Sequence, residues 1–186
     1  STTPKRGTDN GICINLSNTV PILTKSYDII LHAAGKAHSI PKTDKEHEDF
    51  YKINYQGTVN LCMALEKQIL PKSFIFISSV AVYGAEYGEK ITENWPLNGS
   101  DSYAKSKIMA EDYLTSWCKK YNVILSIIRP SLIAGPNPPG NLNTMINGIK
   151  TGRYLSIAGG KAKKSILHVR DIANLVPILS EKGGIY

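Results

Sequence analysis

The sequence predicts an α/β fold, a doubly wound parallel sheet with helices on both faces. Three observations point there. Short apolar runs rich in β-branched and aromatic residues, at 27–31, 74–79 and 123–130, have the length of buried strands rather than of helices. Stretches with apolar residues at helical spacing, from Asp44 to about Gln68 and from Tyr103 to Tyr121, separate them. The strand runs also end in small or hydroxyl residues, His32-Ala33-Ala34-Gly35 and Ser78-Ser79, at the carboxyl edge where open α/β sheets bind their ligands.

At 186 residues the chain can bury the core of one domain and part of a second. Its 42% hydrophobic and 20% charged content is that of a soluble globular protein. No apolar run approaches the roughly 18 residues of a membrane span and no signal peptide opens the chain, so the expectation is a cytoplasmic protein without a membrane partner. Cys13, Cys62 and Cys118 are odd in number and widely spaced, which suits reduced core residues rather than a disulfide frame or a metal site. The net charge of +7 is spread along the chain and mixed with acids, as in Asp44-Lys45-Glu46, without an aromatic-basic motif. That pattern describes a solvated surface and no nucleic-acid partner, with a positive field suited to an anionic substrate.

The chemistry centres on residues 78–107. A strand delivers Ser78 and Ser79 to the sheet edge, the turn Asn98-Gly99-Ser100-Asp101 follows, and a helix then sets Tyr103 and Lys107 four apart on one face. An ammonium beside a phenol favours the phenolate, lowering its pKa from about 10 towards working pH, and a serine hydroxyl can share the hydrogen bond. Such a trio moves a proton on or off an alcohol. Tyr-x-x-x-Lys alone also arises by chance in any helix rich in those residues; the Ser-Ser strand end before it and Val82-Tyr83-Gly84 give it company.

Together with Asp28-Ile29-Ile30-Leu31-His32-Ala33-Ala34-Gly35, Asn54-Tyr55-Gln56-Gly57-Thr58, Arg129-Pro130 and His168-Val169-Arg170-Asp171, these pieces run in family order. The chain resembles the extended short-chain dehydrogenase/reductases, in the NAD-dependent epimerase/dehydratase branch that works on nucleotide sugars. The resemblance implies a Rossmann-type domain and NAD or NADP as cofactor. It implies Ser79, Tyr103 and Lys107 as catalytic residues, and a cofactor site of Ala33, Ala34, Gly35, Asn54, Ser78, Tyr103, Lys107, Pro130 and Ser131. The substrate it implies is a nucleotide-diphosphate sugar, UDP-linked, held by His38, Ser79, Asn141, Leu142, Ser156, Ile157 and Lys164, with no metal. The reaction implied is 4-epimerisation of a UDP-hexose or UDP-N-acetylhexosamine by hydride transfer at C4, or alternatively reduction of a 4-keto sugar. A non-catalytic dinucleotide-binding module or inactive fragment is the reading from a different class. The resemblance also implies a homodimer through the helix bearing Tyr103 and the one before it, and a role in surface-polysaccharide synthesis.

Taken in order, residues 1–10 read as a loop and 11–15 as a short strand. The Gly-x-x-Gly-x-x-Gly turn that should open such a domain is not among them, so the expectation is a fragment of a longer protein. Residues 27–31 form a buried strand, and the small residues after it let a dinucleotide approach the backbone, although a tight turn needs small residues too. His38 is either a surface histidine or a residue facing the sugar. In the helix from Asp44, Asn54 lies beside the apolar face formed by Phe50, Ile53, Gly57 and Leu61 and needs a hydrogen-bond partner. Pro71 breaks that helix. After Ser79, Val80-Ala81 stands where the family's dehydratases carry two carboxylates, which argues against 4,6-dehydration; Glu86 and Glu89 read as solvated.

Pro130 ends the strand run at 123–130. The loop at 135–140 divides a Rossmann-type domain, residues 1–135, from a partial substrate-binding region, 136–186, whose last strand and helix return to the main domain. Asn141-Leu142 leads into a helix. Lys164 keeps positive charge at a diphosphate without an arginine's fork, or belongs to a plain basic turn at 161–164. Residues 166–171 form a strand and start a final helix that Asp171 caps and Pro177 shortens or kinks. Gly183-Gly184-Ile185-Tyr186 reads as the start of another strand.

Overall fold

The computed structural model describes residues 13–37, 39–85, 87–136, 138, 141–153, 163 and 165–186. Its main sheet is β1 (Ile29–His32), β2 (Ser73–Ile77), β3 (Ile124–Ile128) and β6 (Gly184–Ile185), in the order β1-β2-β3-β6 with every pairing parallel. The register pairs Leu31 with Ile75 and Phe76 with Ile127, so the carboxyl ends of β1, β2 and β3 finish side by side.

Strand β2 is buried on both faces, and that is what makes the sheet doubly wound. Phe74 and Phe76 point into a core with Cys62 and Leu65 of α2 (Gly57–Leu65) and Ala110, Leu114, Trp117 and Cys118 of α3 (Ser102–Tyr121). Ile75 points the other way, to Ile128, Ile172 and Leu179, the last two on α5 (Val169–Lys182). Ser126, on that second face, spends its hydroxyl on the Leu179 carbonyl at 2.7 Å.

The helix expected from Asp44 is one continuous rod with an interruption. It comprises α1 (Asp44–Phe50), a π-helical segment Tyr51–Gln56 and α2. Thr43 and Glu46 close a capping box at its start. Its end comes at Leu65, before Gln68, because Lys67 and Gln68 turn back to the carbonyls of Ala64 and Leu65. Residues 13–15 are irregular rather than a strand, since the Asn15 side chain accepts from Ser17 N at 3.1 Å and turns the chain there. The chain from Leu16 to Leu23 runs along α2 and the turn after it, where Asn60 and Gln68 donate to the carbonyls of Leu16 and Leu23.

A small parallel sheet joins β4 (Leu132–Ala134) to β5 (Ile166–His168), pairing a strand before residue 135 with one after it, and α4 (Asn141–Lys150) lies between them in sequence. His168, not Asp171, caps α5: its Nδ1 accepts from Arg170 N at 3.2 Å, and Asp171 sits in the first turn. Pro177 does not end α5, which continues to Lys182; Gly183, at φ 64°, then leads into β6.

Candidate active site

Two glycines set the start of α3 against the end of β2. Gly84 ends the 3-10 turn Val80–Tyr83 at φ 64°, where a Cβ would stand 2.5 Å from the Asn98 carbonyl oxygen. A Cβ on Gly99 would stand 2.5 Å from Ala104 Cβ and 2.7 Å from the Ala81 carbonyl oxygen, and Gly99 N donates to Val82 O at 3.0 Å. No larger side chain fits this closure. Asp101 then caps α3, accepting from Ala104 N at 2.8 Å. Tyr103, Lys107 and Glu111 follow at i, i+4 and i+8, one ridge of the helix.

Ser79 caps the 3-10 turn, accepting from Ala81 N at 3.2 Å, and its hydroxyl is near enough to Tyr103 to favour the phenolate. Burial outweighs it, and the Asp101 charge adds to burial, so the phenol lies above its ordinary pKa. This corrects the lowering by Lys107 expected from the four-residue spacing. The ammonium instead donates to the Ile77 carbonyl at 2.8 Å, 4.7 Å from the Phe76 ring centroid. Burial brings Lys107 itself down to about 8, against the opposing pull of Glu111.

Across the edge, Ala33, Ala34 and Gly35 are exposed, while His32 beneath them is buried. His32 Nε2 is 3.0 Å from Thr58 Oγ1 and its ring stacks on Phe76; burial, then the Lys107 charge, lower it to about 4. Asn54, on the π-helical segment, has the partners it needs. Its Oδ1 accepts from Lys36 N at 2.7 Å, and its Nδ2 donates to Lys36 O at 3.1 Å and Ser106 Oγ at 2.9 Å. One amide therefore ties the loop after β1 to α3. The wider π turn re-aims a side chain without ending the rod.

Pro130 lies beside Ser79 because its carbonyl accepts from Val80 N at 3.2 Å; it is buried, and Ser131 is half-buried. Ser78 sits differently from the expectation that it touches the nicotinamide. Its side chain is buried and its hydroxyl donates to Glu111 Oε1, so it supports the strand end from below.

The model of the NAD dependent epimerase/dehydratase family matches residues 10–185. The chain belongs to this family. It is 36% identical over 140 residues to the N-acetyl-alpha-D-glucosaminyl-diphospho-ditrans,octacis-undecaprenol 4-epimerase of Escherichia coli O157:H7, covering 70% of this chain and 42% of that protein. It is 28% identical over 163 residues to the dTDP-D-glucose 4,6-dehydratase of Homo sapiens, covering 86% and 46%. Among solved structures it is similar to the UDP-N-acetylglucosamine 4-epimerase from Methanobrevibacter ruminantium M1 in complex with UDP-N-acetylmuramic acid. That match has a TM-score of 0.74 and 25% identity, and covers 92% of this chain and 56% of that one. The chain spans about half the length of the curated relatives it matches.

In this member of the epimerase/dehydratase family, the residues expected at the cofactor fall into two groups. Ala33, Ala34, Gly35, Asn54, Tyr103, Lys107, Pro130 and Ser131 line or brace one edge, whereas Ser78 lies under it. Small exposed residues above a buried lysine fit a dinucleotide that must approach the backbone. Of the substrate residues, Ser79 is at this edge and Leu142 is buried in α4. His38, Ser156, Ile157, Lys164 and the side chain of Asn141 lie outside the described residues. Among the described residues no group of three His, Cys, Asp or Glu could hold a metal, and no helix is long and apolar enough to cross a membrane.

Sequence reasoning missed Glu111. The signal was present: Glu111 falls one turn beyond Lys107 and next to Ala110 on the face that also buries Leu114, where an acid needs a partner. That partner is Arg129, whose Nη2 lies 2.6 Å from Glu111 Oε2.

Proposed function

We propose that the protein carrying this chain is a sugar 4-epimerase acting on a diphosphate-linked hexose, a UDP-hexose or UDP-N-acetylhexosamine, with NAD or NADP as cofactor. The observation that carries the reading is the meeting of Ser79 with Tyr103 above the buried ammonium of Lys107, at a sheet edge whose neighbouring turn is Ala33-Ala34-Gly35. When bound, a nicotinamide cofactor accepts and returns hydride at C4 of the sugar.

This chain's residues handle the proton. Acting as the phenolate, Tyr103 takes it from the C4 hydroxyl and, then a phenol, gives it back, and the Ser79 hydroxyl donates to the same oxygen. An ammonium has three donors, and Lys107 uses one on Ile77 O; the others serve the ribose of the cofactor. Ala33, Ala34, Gly35, Pro130 and Ser131 border the dinucleotide, and Asn54 keeps the loop at 33–36 in place. Val80-Ala81 supplies no carboxylate for eliminating water, which favours epimerisation over 4,6-dehydration. A homodimer through α3 and the rod before it belongs to the same reading, supported by the exposed methionines Met63 and Met109 on those helices.

The test is a proton NMR time course of the protein with UDP-N-acetylglucosamine and a catalytic amount of NAD. Appearance of the galacto epimer without net NADH supports the proposal. No change with cofactor bound redirects it to a 4-keto-sugar reductase, or to a lipid-linked diphosphosugar if the polyprenyl substrate alone turns over. No cofactor binding at all favours a non-catalytic module.

A further inference from the structure

Two oppositely charged side chains are buried beneath the site and take no direct part in the proton transfer just proposed. Glu111 and Arg129 are 3% and 8% exposed. Arg129 Nε stands 3.2 Å from both carboxylate oxygens and its Nη2 2.6 Å from Oε2. Nη1 of the same guanidinium donates to the Glu93 carbonyl at 2.9 Å and to the Tyr83 hydroxyl at 3.2 Å, with the Tyr83 ring centroid 5.1 Å away. The carboxylate also takes the hydroxyl of Ser78.

These bonds join the segment from Ser78 to Tyr83, the chain at Glu93, the end of β3 and α3. Ser78 precedes Ser79 at the end of β2. Arg129 precedes Pro130 at the end of β3, and Pro130 O holds Val80 N. Tyr83 belongs to the 3-10 turn that Ser79 caps. Glu111 stands on the ridge of α3 that also carries Tyr103 and Lys107. A buried ion pair is a poor source of stability, because desolvation consumes most of its attraction. A pair with every oxygen engaged makes more sense as a device that fixes geometry.

We propose that Glu111 is a positioning residue for the reaction. Through Arg129 and Ser78 it locks the strand ends that carry Ser79 to the ridge that carries Tyr103 and Lys107, and it sets a buried negative charge one helical turn from the Lys107 ammonium. The proposal rests on the reading of Ser79, Tyr103 and Lys107 as the reacting set. The groups around Lys107 are Tyr103 and Glu111 on α3, the Ile77 carbonyl on β2 and the buried His32 on β1. Lys36, on the loop after β1, is paired with Asp49 at 3.2 Å. Glu111 is the carboxylate in this set that opposes the effect of burial on Lys107.

The experiment compares Glu111→Gln and Glu111→Asp with the parent, using cofactor-bound kinetics and NMR titration of lysine side chains labelled with carbon-13. Glutamine keeps the shape and loses the charge. Lys107 should then give up its proton about one pH unit lower, the lower end for losing an opposite charge a few ångströms away. The kcat should fall about tenfold at pH 8, with its alkaline limb moved to lower pH and KM within about twofold. Aspartate keeps the charge and should leave the Lys107 titration in place. If Glu111→Gln fails to fold, Glu111→Gln combined with Arg129→Met removes the unpaired guanidinium and should carry the same Lys107 shift. A Lys107 titration unchanged in the Gln protein overturns the proposal whether or not sugar is turned over. A parent protein that turns nothing over, yet shows the shift and binds cofactor, overturns the epimerase reading alone.

Discussion

Gly35 and Asn54 meet so closely that a Cβ on the glycine would stand 3.0 Å from Asn54 Oδ1, and 3.3 Å from Lys107 Nζ. Neither neighbour is free to withdraw. Asn54 Oδ1 accepts from Lys36 N, its Nδ2 serves Lys36 O and Ser106, and the Lys107 ammonium is held by Ile77 O. Gly35→Ala is therefore expected to cost about 1–2 kcal/mol as an overpacking change, and to weaken dinucleotide binding at the same edge. Urea unfolding and calorimetric titration with NAD read the two effects. Parent stability together with parent affinity would mean that the amide and ammonium yield without loss.

How far the sequence reached follows from the range of each interaction. The strand at 74–79 and the helix from Tyr103 were legible because their signals are local: apolar run length in one, and a turn followed by 3.6-residue spacing in the other. The partner of Asn54 could be demanded but not named, since Lys36 and Ser106 lie 18 and 52 residues away. The π-helical segment had no local signature, because helical spacing reads alike through it. The Glu111 partner of the buried Ser78 hydroxyl was not legible either, as alternation says which residues face alike but not which layer receives them. The role of Asp171 was misread for a simpler reason: His168 offers a ring nitrogen three residues earlier, at the true start of α5.

Tyr103→Phe removes the hydroxyl that meets Ser79 and leaves the ring, which packs 6.0 Å from that of Phe50. Turnover is expected to drop by roughly two to four orders of magnitude, the usual contribution of a positioned acid or base. Cofactor affinity and stability should stay close to the parent. Stopped-flow or NMR assays with a parallel binding titration separate the effects, and full turnover in the Phe protein would remove Tyr103 from the chemistry.

His32 gives the fold an acid-sensitive window. Its folded pKa, about 4, lies below the ordinary 6.5, first through burial and then through the Lys107 charge. Between those values the unfolded chain takes up a proton that the folded chain refuses. The contribution is thus complete above pH 6.5 and is lost as pH falls towards 4, by about 3 kcal/mol in all. Urea midpoints from pH 7 to 4.5 should fall more steeply for the parent than for His32→Gln. Parallel curves would show that the imidazole titrates normally in the folded protein.

Lys107 should be a residue the fold holds at a cost in stability. Its folded pKa is about 8 against an ordinary 10.5, with burial as the leading cause, so at pH 7 the folded chain carries a charge it disfavours by about 3 kcal/mol. Losing its bond to Ile77 O returns about 1 kcal/mol of that. Lys107→Met is therefore expected to be about 2 kcal/mol more stable at pH 7, while losing turnover and cofactor affinity. The sign follows from proton binding: between pH 8 and 10.5 the unfolded parent binds the proton that the folded parent releases, so parent stability rises and the advantage of the Met protein shrinks. His32 supplies an independent reading, since the Lys107 charge helps to hold it down and its imidazole should titrate at higher pH in the Met protein. A Met protein less stable than the parent at pH 7, with His32 unmoved, would mean that the ammonium is solvated in the folded chain and that its place beneath the edge costs nothing.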